Sequence, residues 1–325
     1  MQPFEIIHAN SLSMATKLLK DPGIEALAGG TDLLGELKRK IRHPRGLLNL
    51  KTISGLDEIY YDQGLHLGSL VTVAELEHHP IILKGYPILS QAASLTATPQ
   101  LRNMGTLCGN LCQHPRCWYY RNRLFHCWLK GGEKCFAVRG ENKYHAILGR
   151  WFCQAVHPSD LAPALIALKA VVDIVRPTGK KELPLEELYV KPAKGHRQMT
   201  ILRPSELIRG IRIPSPSSTS QNFYLKAMDR QAWSFALVSV ATHLRFKGRR
   251  IAEANVILGG VGPIPWRVKE AEALLNGEPL SEELAVHVGE AALTEAKPLQ
   301  GNGYKVPLVR ALIKKSLISI LNNRK

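Results

Sequence analysis

Apolar residues at Met14, Leu18 and Leu19 keep a helical spacing that Ser11 or Ser13 can cap and Asp21-Pro22-Gly23 ends. A short strand then feeds Gly29-Gly30. From Thr31, the positions Leu33, Leu34 and Leu37 predict a helix directly behind those glycines, followed by a strand near Leu47 to Leu50. Strand, glycine turn, helix and strand make an α/β lobe over about residues 1–54. A second lobe, about 55–213, follows from extended runs at Ile59-Tyr60-Tyr61 and Leu65 to Leu70 and from helical patterns at Val73 to Glu77 and Ile88 to Ala97. It resumes with a helix from Leu161 to Leu168, capped by Ser159 or Asp160. A strand from Ala170 to Ile174 then ends in the charged turn Arg176 to Lys180.

The run Ile213-Pro214-Ser215-Pro216-Ser217-Ser218-Thr219-Ser220 is the clearest linker, placed at 214–222. Beyond it, Phe223 to Ala227, Ala236 to Phe246 and Ile251 to Leu258 alternate like three strands, with Lys247-Gly248-Arg249-Arg250 as a hairpin turn. Helical patterns near Trp266 to Leu275, Ser281 to Leu293 and Val306 to Leu321 come last. Strands followed by helices predict an α+β unit, with helices on one side of a three-stranded antiparallel sheet.

The chain has 325 residues and 45% hydrophobic content, enough for two or three domains with proper cores. No run of about 18 apolar residues occurs, so no membrane span is expected. The N-terminus lacks a secretory pattern, which makes the cytoplasm the default, with export on a partner's signal still open. The net charge of +16 is dispersed apart from short clusters at Lys38 to Lys40 and Lys247 to Arg250. Without aromatic–basic alternation it points to acidic partner subunits or phosphate-bearing cofactors and not to nucleic acid.

All six cysteines fall between Cys108 and Cys153, a concentration that argues for a metal site and redox chemistry. Two glycine turns stand out, the second of them leading into this tract. Ala28-Gly29-Gly30-Thr31-Asp32 offers unhindered backbone N–H groups before a helix, and Thr106-Leu107-Cys108-Gly109-Asn110 is a second such turn. On adjacent lobes the two could clamp a pyrophosphate. Neither a Rossmann GxGxxG nor a Walker loop is present.

These turns, together with Pro158-Ser159-Asp160-Leu161-Ala162-Pro163-Ala164-Leu165, resemble three ordered signatures of the FAD-binding subunit of the molybdenum hydroxylases: the xanthine dehydrogenase, aldehyde oxidoreductase and carbon monoxide dehydrogenase family. Lys226 to Val240 and Gly259 to Arg267 resemble that family's C-terminal flavoprotein domain. The resemblance implies a two-lobed, PCMH-type FAD-binding domain at 1–213 and a small α+β domain at 223–325. Leu27, Ala28, Gly29, Gly30, Thr31, Asp32, Leu33 and Leu34 would wrap the FAD pyrophosphate through backbone N–H groups, and Thr106, Gly109 and Asn110 would close its other side. Asp160 would contact the ribityl region, where its alternative is a plain helix cap, and Lys226 would sit near the flavin. Cys108 stands where the family usually has a glycine; if the position needs a positive φ, Cys108 is strained.

Between the second and third signatures an insertion of about 113–156 resembles the cluster-bearing insertion of a periplasmic-type aldehyde oxidoreductase and, with different spacing, of 4-hydroxybenzoyl-CoA reductase. By that resemblance Cys117, Cys127, Cys135 and Cys153 hold a [4Fe–4S] cluster, one thiolate per iron. Zinc is the rival, although no CxxC pair occurs, and disulfides are a third option. Cys108 and Cys112 read as buried turn residues. His114, His126, His145 and His157 read as hydrogen-bonding residues, any of which could replace a thiolate. Trp118, Tyr119, Tyr120, Phe125 and Trp128 offer apolar cover. The function implied is an oxidoreductase subunit without catalytic residues of its own. It would pass electrons from a molybdenum-cofactor large subunit and a [2Fe–2S] small subunit, in a heterotrimer or a dimer of heterotrimers, through FAD to NAD, oxygen or a ferredoxin-like protein. A free-standing flavoprotein oxidase and a zinc-stapled nucleic-acid-binding module are the alternatives.

Overall fold

The computed structural model describes residues 1–149 and 151–324. Arg150, in the expected insertion, and Lys325, at the end of the expected C-terminal domain, lie outside the described residues. Three sheets carry the chain. In the first, β1 (Glu5–His8) and β2 (Ile24–Leu27) pair in parallel with β3 (Gly46–Asn49) between them. Parallel neighbours need crossovers, supplied by α1 (Leu12–Leu18) and α2 (Leu33–Lys38). Ser11 caps α1 by accepting the Met14 N–H at 3.3 Å. Ala15, Leu19, Leu48 and Leu50 form the core beneath this sheet.

The second sheet is antiparallel throughout, in the order β4-β5-β8-β6-β7. Its strands are β4 (Ile59–Tyr61), β5 (Gly64–Gly68), β6 (Val171–Arg176), β7 (Gly179–Pro184) and β8 (Leu207–Pro214). Between β5 and β6 run the helices α3 (Val73–His78), α4 (Pro80–Gly85), α5 (Pro87–Ser94), α6 (Pro99–Arg102), α7 (Leu107–Leu111) and α8 (Leu161–Ala167). Thr72 and Glu75 form a reciprocal capping box on α3. Proline opens α4, α5 and α6, where its missing N–H costs nothing. The pattern predicted α5 through Ala97; it stops at Ser94, and Ala97 takes a left-handed φ of 53°. Leu65, Leu67, Ile88, Leu89, Leu107, Leu161 and Leu165 fill the core.

The third sheet has the order β12-β11-β10-β9 and is antiparallel. It comprises β9 (Ser220–Ala227), β10 (Val238–Lys247), β11 (Arg250–Gly259) and β12 (Trp266–Arg267), followed by α9 (Lys269–Leu275), α10 (Glu282–Ala291) and α11 (Lys305–Asn322). α11 buries Val309, Ile313, Leu317 and Ile320, one helical stripe, in the core shared with the sheet. One expectation needs correction. Trp266 does not start a helix: after Pro263 and Pro265, Trp266 and Arg267 pair with Leu258 and Ile257 on the free edge of β11, adding a fourth strand. α9, α10 and α11 share one core with this sheet, as expected, while α5 and α8 of the second unit contact β9, β10 and β11, where Tyr224, Ala241 and Ile257 join the core of the second sheet. The linker between β8 and β9 shortens to residues 215–219.

The insertion leaves after α7 and returns at α8. Among its described residues, regular structure is limited to 3-10 turns at Trp128–Lys130 and Phe136–Val138. It is pinned to the third unit by Asn302 Nδ2, which donates to the His145 and Ala146 carbonyls at 3.0 and 3.2 Å, and by Gly301 N–H donating to Asn142 Oδ1 at 2.8 Å. Among the described residues, no helix is long and apolar enough to cross a membrane.

Candidate functional site

β2 delivers the chain to Gly29 and Gly30, and Gly30 takes a φ of 72° that favours glycine. The reason for the second glycine residue type is proximity: a Cβ on Gly29 would sit 1.8 Å from the Met104 carbonyl oxygen. The first turn therefore lies against the backbone that leads into the second. There Thr106 caps α7, its hydroxyl accepting the Gly109 N–H at 3.2 Å, and a Cβ at Gly109 would crowd that same oxygen at 2.7 Å. Cys108 lies inside α7 and is not among the positive-φ residues, so the strain that a glycine position would impose is absent. Burial pushes the Cys108 thiol well up and the Cys112 thiol up to about 12, as suits buried turn residues.

Asp32 uses its carboxylate on the insertion. Oδ2 accepts the His114 N–H at 2.9 Å, and Oδ1 pairs with Arg121 at 2.8 Å and Arg116 at 3.0 Å. Burial alone would raise the Asp32 carboxyl, but Arg116 and Arg121 outweigh it and hold it below its ordinary value. Glu36, one turn along α2 and 1% exposed, pairs with Arg121 Nη1 at 3.2 Å and His114 Nδ1 at 3.0 Å, and the Tyr120 hydroxyl lies 3.0 Å from that ring nitrogen. Sequence reading missed Glu36, Arg116 and Arg121, because nothing local marks a pairing across the insertion.

The cap of α8 is Ser159: its Oγ accepts the Ala162 N–H at 3.0 Å and donates to Asn110 Oδ1 at 2.6 Å. Asp160 makes no side-chain cap bond. Its carboxylate accepts from Lys226 Nζ at 2.7 Å and from the Tyr224 hydroxyl at 3.1 Å, while Lys226 also donates to the Leu95 carbonyl at 2.7 Å. Burial pushes the Asp160 carboxyl up, and Lys226 opposes that rise. Tyr224 and Lys226 reach it together because residues two apart on β9 share a face. That alternation was the available signal for Tyr224.

A cleft of about 280 Å³ opens beside this group. Its lining combines Ser159 and Asp160 with Trp233, Phe235 and Gly260 of the third unit and Cys117 and His145 of the insertion. His157 also faces it, with Nδ1 accepting the Ser159 N–H at 3.4 Å and the ring edge-on to Tyr189. Burial lowers His157 from 6.5 to about 3. The unfolded chain therefore takes up this proton first, and the stability present above pH 6.5 drains away as the pH falls toward 3. His157→Gln is expected to flatten the acid limb of a melting-temperature profile recorded across that range.

Cys117, Cys127, Cys135 and Cys153 all line one small cavity with Tyr119, Tyr120, Trp128, Leu129, Phe136 and Ala155. All six cysteines are free thiols, which removes the disulfide option. Backbone N–H groups of Tyr119 and Tyr120 donate to the Cys117 sulfur, those of Gln154, Ala137 and Val138 to Cys135, and that of Ala155 to Cys153. His145 Nε2 lies 3.2 Å from the Cys117 sulfur. Burial pushes the Cys117 thiol up to about 12 and raises Cys135 and Cys153 as well. Among the described residues, no three His, Cys, Asp or Glu side chains form a group that could hold a metal ion. His114 and His157 are engaged elsewhere. The apolar cover is only partly the expected one: Trp118 is 45% exposed and does not line this cavity, and Phe125 supports Tyr119 and Phe136 from behind. Cys117 lines the cavity and the cleft alike.

Residues 2–216 match the family described as the FAD binding domain in molybdopterin dehydrogenase, and residues 223–320 match the CO dehydrogenase flavoprotein C-terminal domain. The chain belongs to this family of FAD-binding subunits. It is 36% identical over 305 residues to the aldehyde oxidoreductase FAD-binding subunit PaoB of Escherichia coli (strain K12), covering 92% of this chain and 91% of that protein. It is 27% identical over 316 residues to the nicotine 6-hydroxylase medium subunit of Paenarthrobacter nicotinovorans, covering 95% and 94%. Among solved structures, the carbon monoxide dehydrogenase of Hydrogenophaga pseudoflava shares the fold, with a TM-score of 0.80 at 22% identity over 99% of this chain and 98% of that one. The FAD-binding subunit described here is accordingly an oxidoreductase subunit of mixed α/β fold, with an antiparallel sheet and helices in its C-terminal part.

Proposed function

We propose that this chain is the FAD- and [4Fe–4S]-carrying electron-transfer subunit of a molybdenum-cofactor hydroxylase. The FAD-binding domain would span 1–213 with the insertion at 113–156, and the C-terminal domain 223–325 would follow the linker. One observation carries the reading: Cys117 faces both the four-cysteine cavity and the cleft that holds Asp160. Backbone N–H groups of Leu27 to Leu34 would hold one side of the FAD pyrophosphate, and Thr106, Gly109 and Asn110 would hold the other. The contact between Gly29 and the Met104 backbone fixes the spacing of these two turns. Asp160, oriented by Lys226 and Tyr224, would accept a hydrogen bond from the ribityl chain, and Trp233 and Phe235, exposed at the rim of the cleft, would pack on the bound cofactor. Bound FAD supplies the exchange between one-electron carriers and a two-electron acceptor.

The four thiols are read as cluster ligands and not as ligands of a single ion, because they line one cavity without forming a group about a point. A cube binds each thiolate to a different iron, so its ligands surround a volume, whereas a zinc ion needs them about a point. The backbone N–H donors at Cys117, Cys135 and Cys153 favour thiolates, which burial without metal opposes. In this reading the chain is the medium subunit that joins a molybdenum-cofactor large subunit and a [2Fe–2S] small subunit, and it delivers electrons to NAD, oxygen or a ferredoxin-like protein; support comes from relatives named as medium subunits or chains. Cytoplasmic assembly is the default, with export on a partner's signal peptide as the alternative.

Anaerobically purified protein is expected to carry about four iron and four acid-labile sulfides per FAD, with visible absorption that bleaches on dithionite. Zinc without sulfide beside bound FAD would reduce the insertion to a structural staple. Flavin reduction by organic substrate in the isolated chain would make it a free-standing oxidase.

A further inference from the structure

We propose that Arg121 is a positioning residue through which an intact thiolate centre holds the flavin turn, so that retention of FAD depends on the cluster ligands. The inference rests on the FAD and cluster assignments above and extends them to how the two sites are joined.

Arg121 is 7% exposed, and its guanidinium is spread over four acceptors. Nη2 reaches Asp32 Oδ1 at 2.8 Å and the His114 carbonyl at 2.9 Å, Nη1 reaches Glu36 at 3.2 Å, and Nε donates to the Pro115 carbonyl at 2.7 Å. Asp32 follows directly on Gly29-Gly30-Thr31, and Glu36 is buried one turn along the helix that those glycines open. The guanidinium therefore fixes the first flavin turn and its helix at two points. A planar fork with five donors suits such a double pairing; a lysine ammonium, a single point of charge, does not reproduce it.

The other end of the same segment is Cys117. The Arg121 N–H donates to the Cys117 carbonyl at 2.9 Å, closing one tight turn, and the Tyr119 and Tyr120 N–H groups within that turn donate to the Cys117 sulfur. Residues 117–121 thus carry a thiolate on one side and the flavin-turn clamp on the other. Within the insertion this turn is held by side chains and not by regular structure: Tyr119 packs on Phe125 and Phe136, and His145 Nε2 lies 3.2 Å from the Cys117 sulfur. Ligation of the four sulfurs would add covalent anchorage to these contacts. When the sulfur side is released, Arg121 loses its fixed position, and buried Glu36 and half-buried Asp32 are each left short of a partner.

The test uses the full chain, purified anaerobically, with iron, sulfide and FAD content, FAD titration by flavin fluorescence and circular dichroism recorded for each variant. Cys127→Ser alters a cluster ligand that does not touch Asp32 or Glu36. It is expected to lose iron and to bind FAD at least about tenfold more weakly. Arg121→Gln is expected to keep its iron and to show the same weakening, and Arg121→Lys to restore only part of it. Glu36→Gln removes one partner without altering the flavin turn; it carries the test if Arg121→Gln fails to fold, and the expected result is again weaker FAD binding with iron retained. A Cys127→Ser protein that loses iron yet binds FAD as the parent does would overturn the proposal, as would a folded Arg121→Gln protein with parental FAD affinity. If the parent chain carries no FAD, or no iron and sulfide, the underlying cofactor assignment fails first, and that result is distinct from either of these.

Discussion

Asp160→Ala is expected to lower the unfolding free energy by about 3–5 kcal/mol, because it strands a buried ammonium. The Asp160 and Lys226 side chains are 4% and 0% exposed, so neither can turn to water when its partner goes. Lys226 would keep only the Leu95 carbonyl, and the Tyr224 hydroxyl would lose its carboxylate acceptor. Lys226→Met should be similarly costly, since it leaves the carboxylate in a site where burial already pushes its proton affinity up. The double variant Asp160→Ala/Lys226→Met is expected to recover part of the loss, because removing both charges spares their desolvation. Urea unfolding of the four proteins closes the cycle. Single variants within about 1 kcal/mol of the parent would mean that the pair behaves as an exposed salt bridge.

Gly29→Ala is expected to abolish FAD binding while leaving most of the fold in place. The new methyl would stand 1.8 Å from the Met104 carbonyl oxygen and 2.9 Å from its carbon. Both are backbone atoms, which cannot rotate aside as a side chain does, so the two turns must separate. Overpacking of this kind costs about 1–3 kcal/mol. The larger effect is on the cofactor, whose pyrophosphate spans both turns in the proposed site. Gly35→Ala on α2 is the matched control: nothing lies within 4 Å of its Cβ position, and alanine should stabilise the helix by about 0.5–1 kcal/mol. FAD content and melting temperature of the two variants, side by side, check both statements. Parental FAD content in Gly29→Ala would sink the two-turn clamp.

What the sequence disclosed is what local physics encodes. The Ser11 cap, the strand–glycine–helix unit around Gly29 and the alternation of β9, β10 and β11 each arise within a few residues, so periodicity and turn chemistry suffice to find them. The confinement of all six cysteines to one tract pointed to a shared site, and four of them do line one cavity. The features that escaped are made across long separations. Arg121 meets Asp32 from 89 positions away, and Lys226 meets Asp160 from 66. Trp266 and Arg267 became a strand because β11 had an open edge, which no window around Trp266 contains. Local sequence allows Ser159 or Asp160 as the cap; Ser159 takes the role because distant Lys226 and Tyr224 claim the Asp160 carboxylate.

The bond between Ser159 and Asn110 joins residues 49 positions apart and closes the neck of the insertion. Chain leaves and rejoins the core at a single gate, with the buried helices on either side of it packed together. For a loop so closed, the entropic cost grows only logarithmically, about 0.6 kcal/mol for each doubling of length. Loop closure therefore sets little limit on the length of the tract behind the gate. The limit is charge: Arg121 inside the tract neutralises Asp32 and Glu36 in front of it, so a graft of residues 111–158 into another scaffold has to carry those two carboxylates with it.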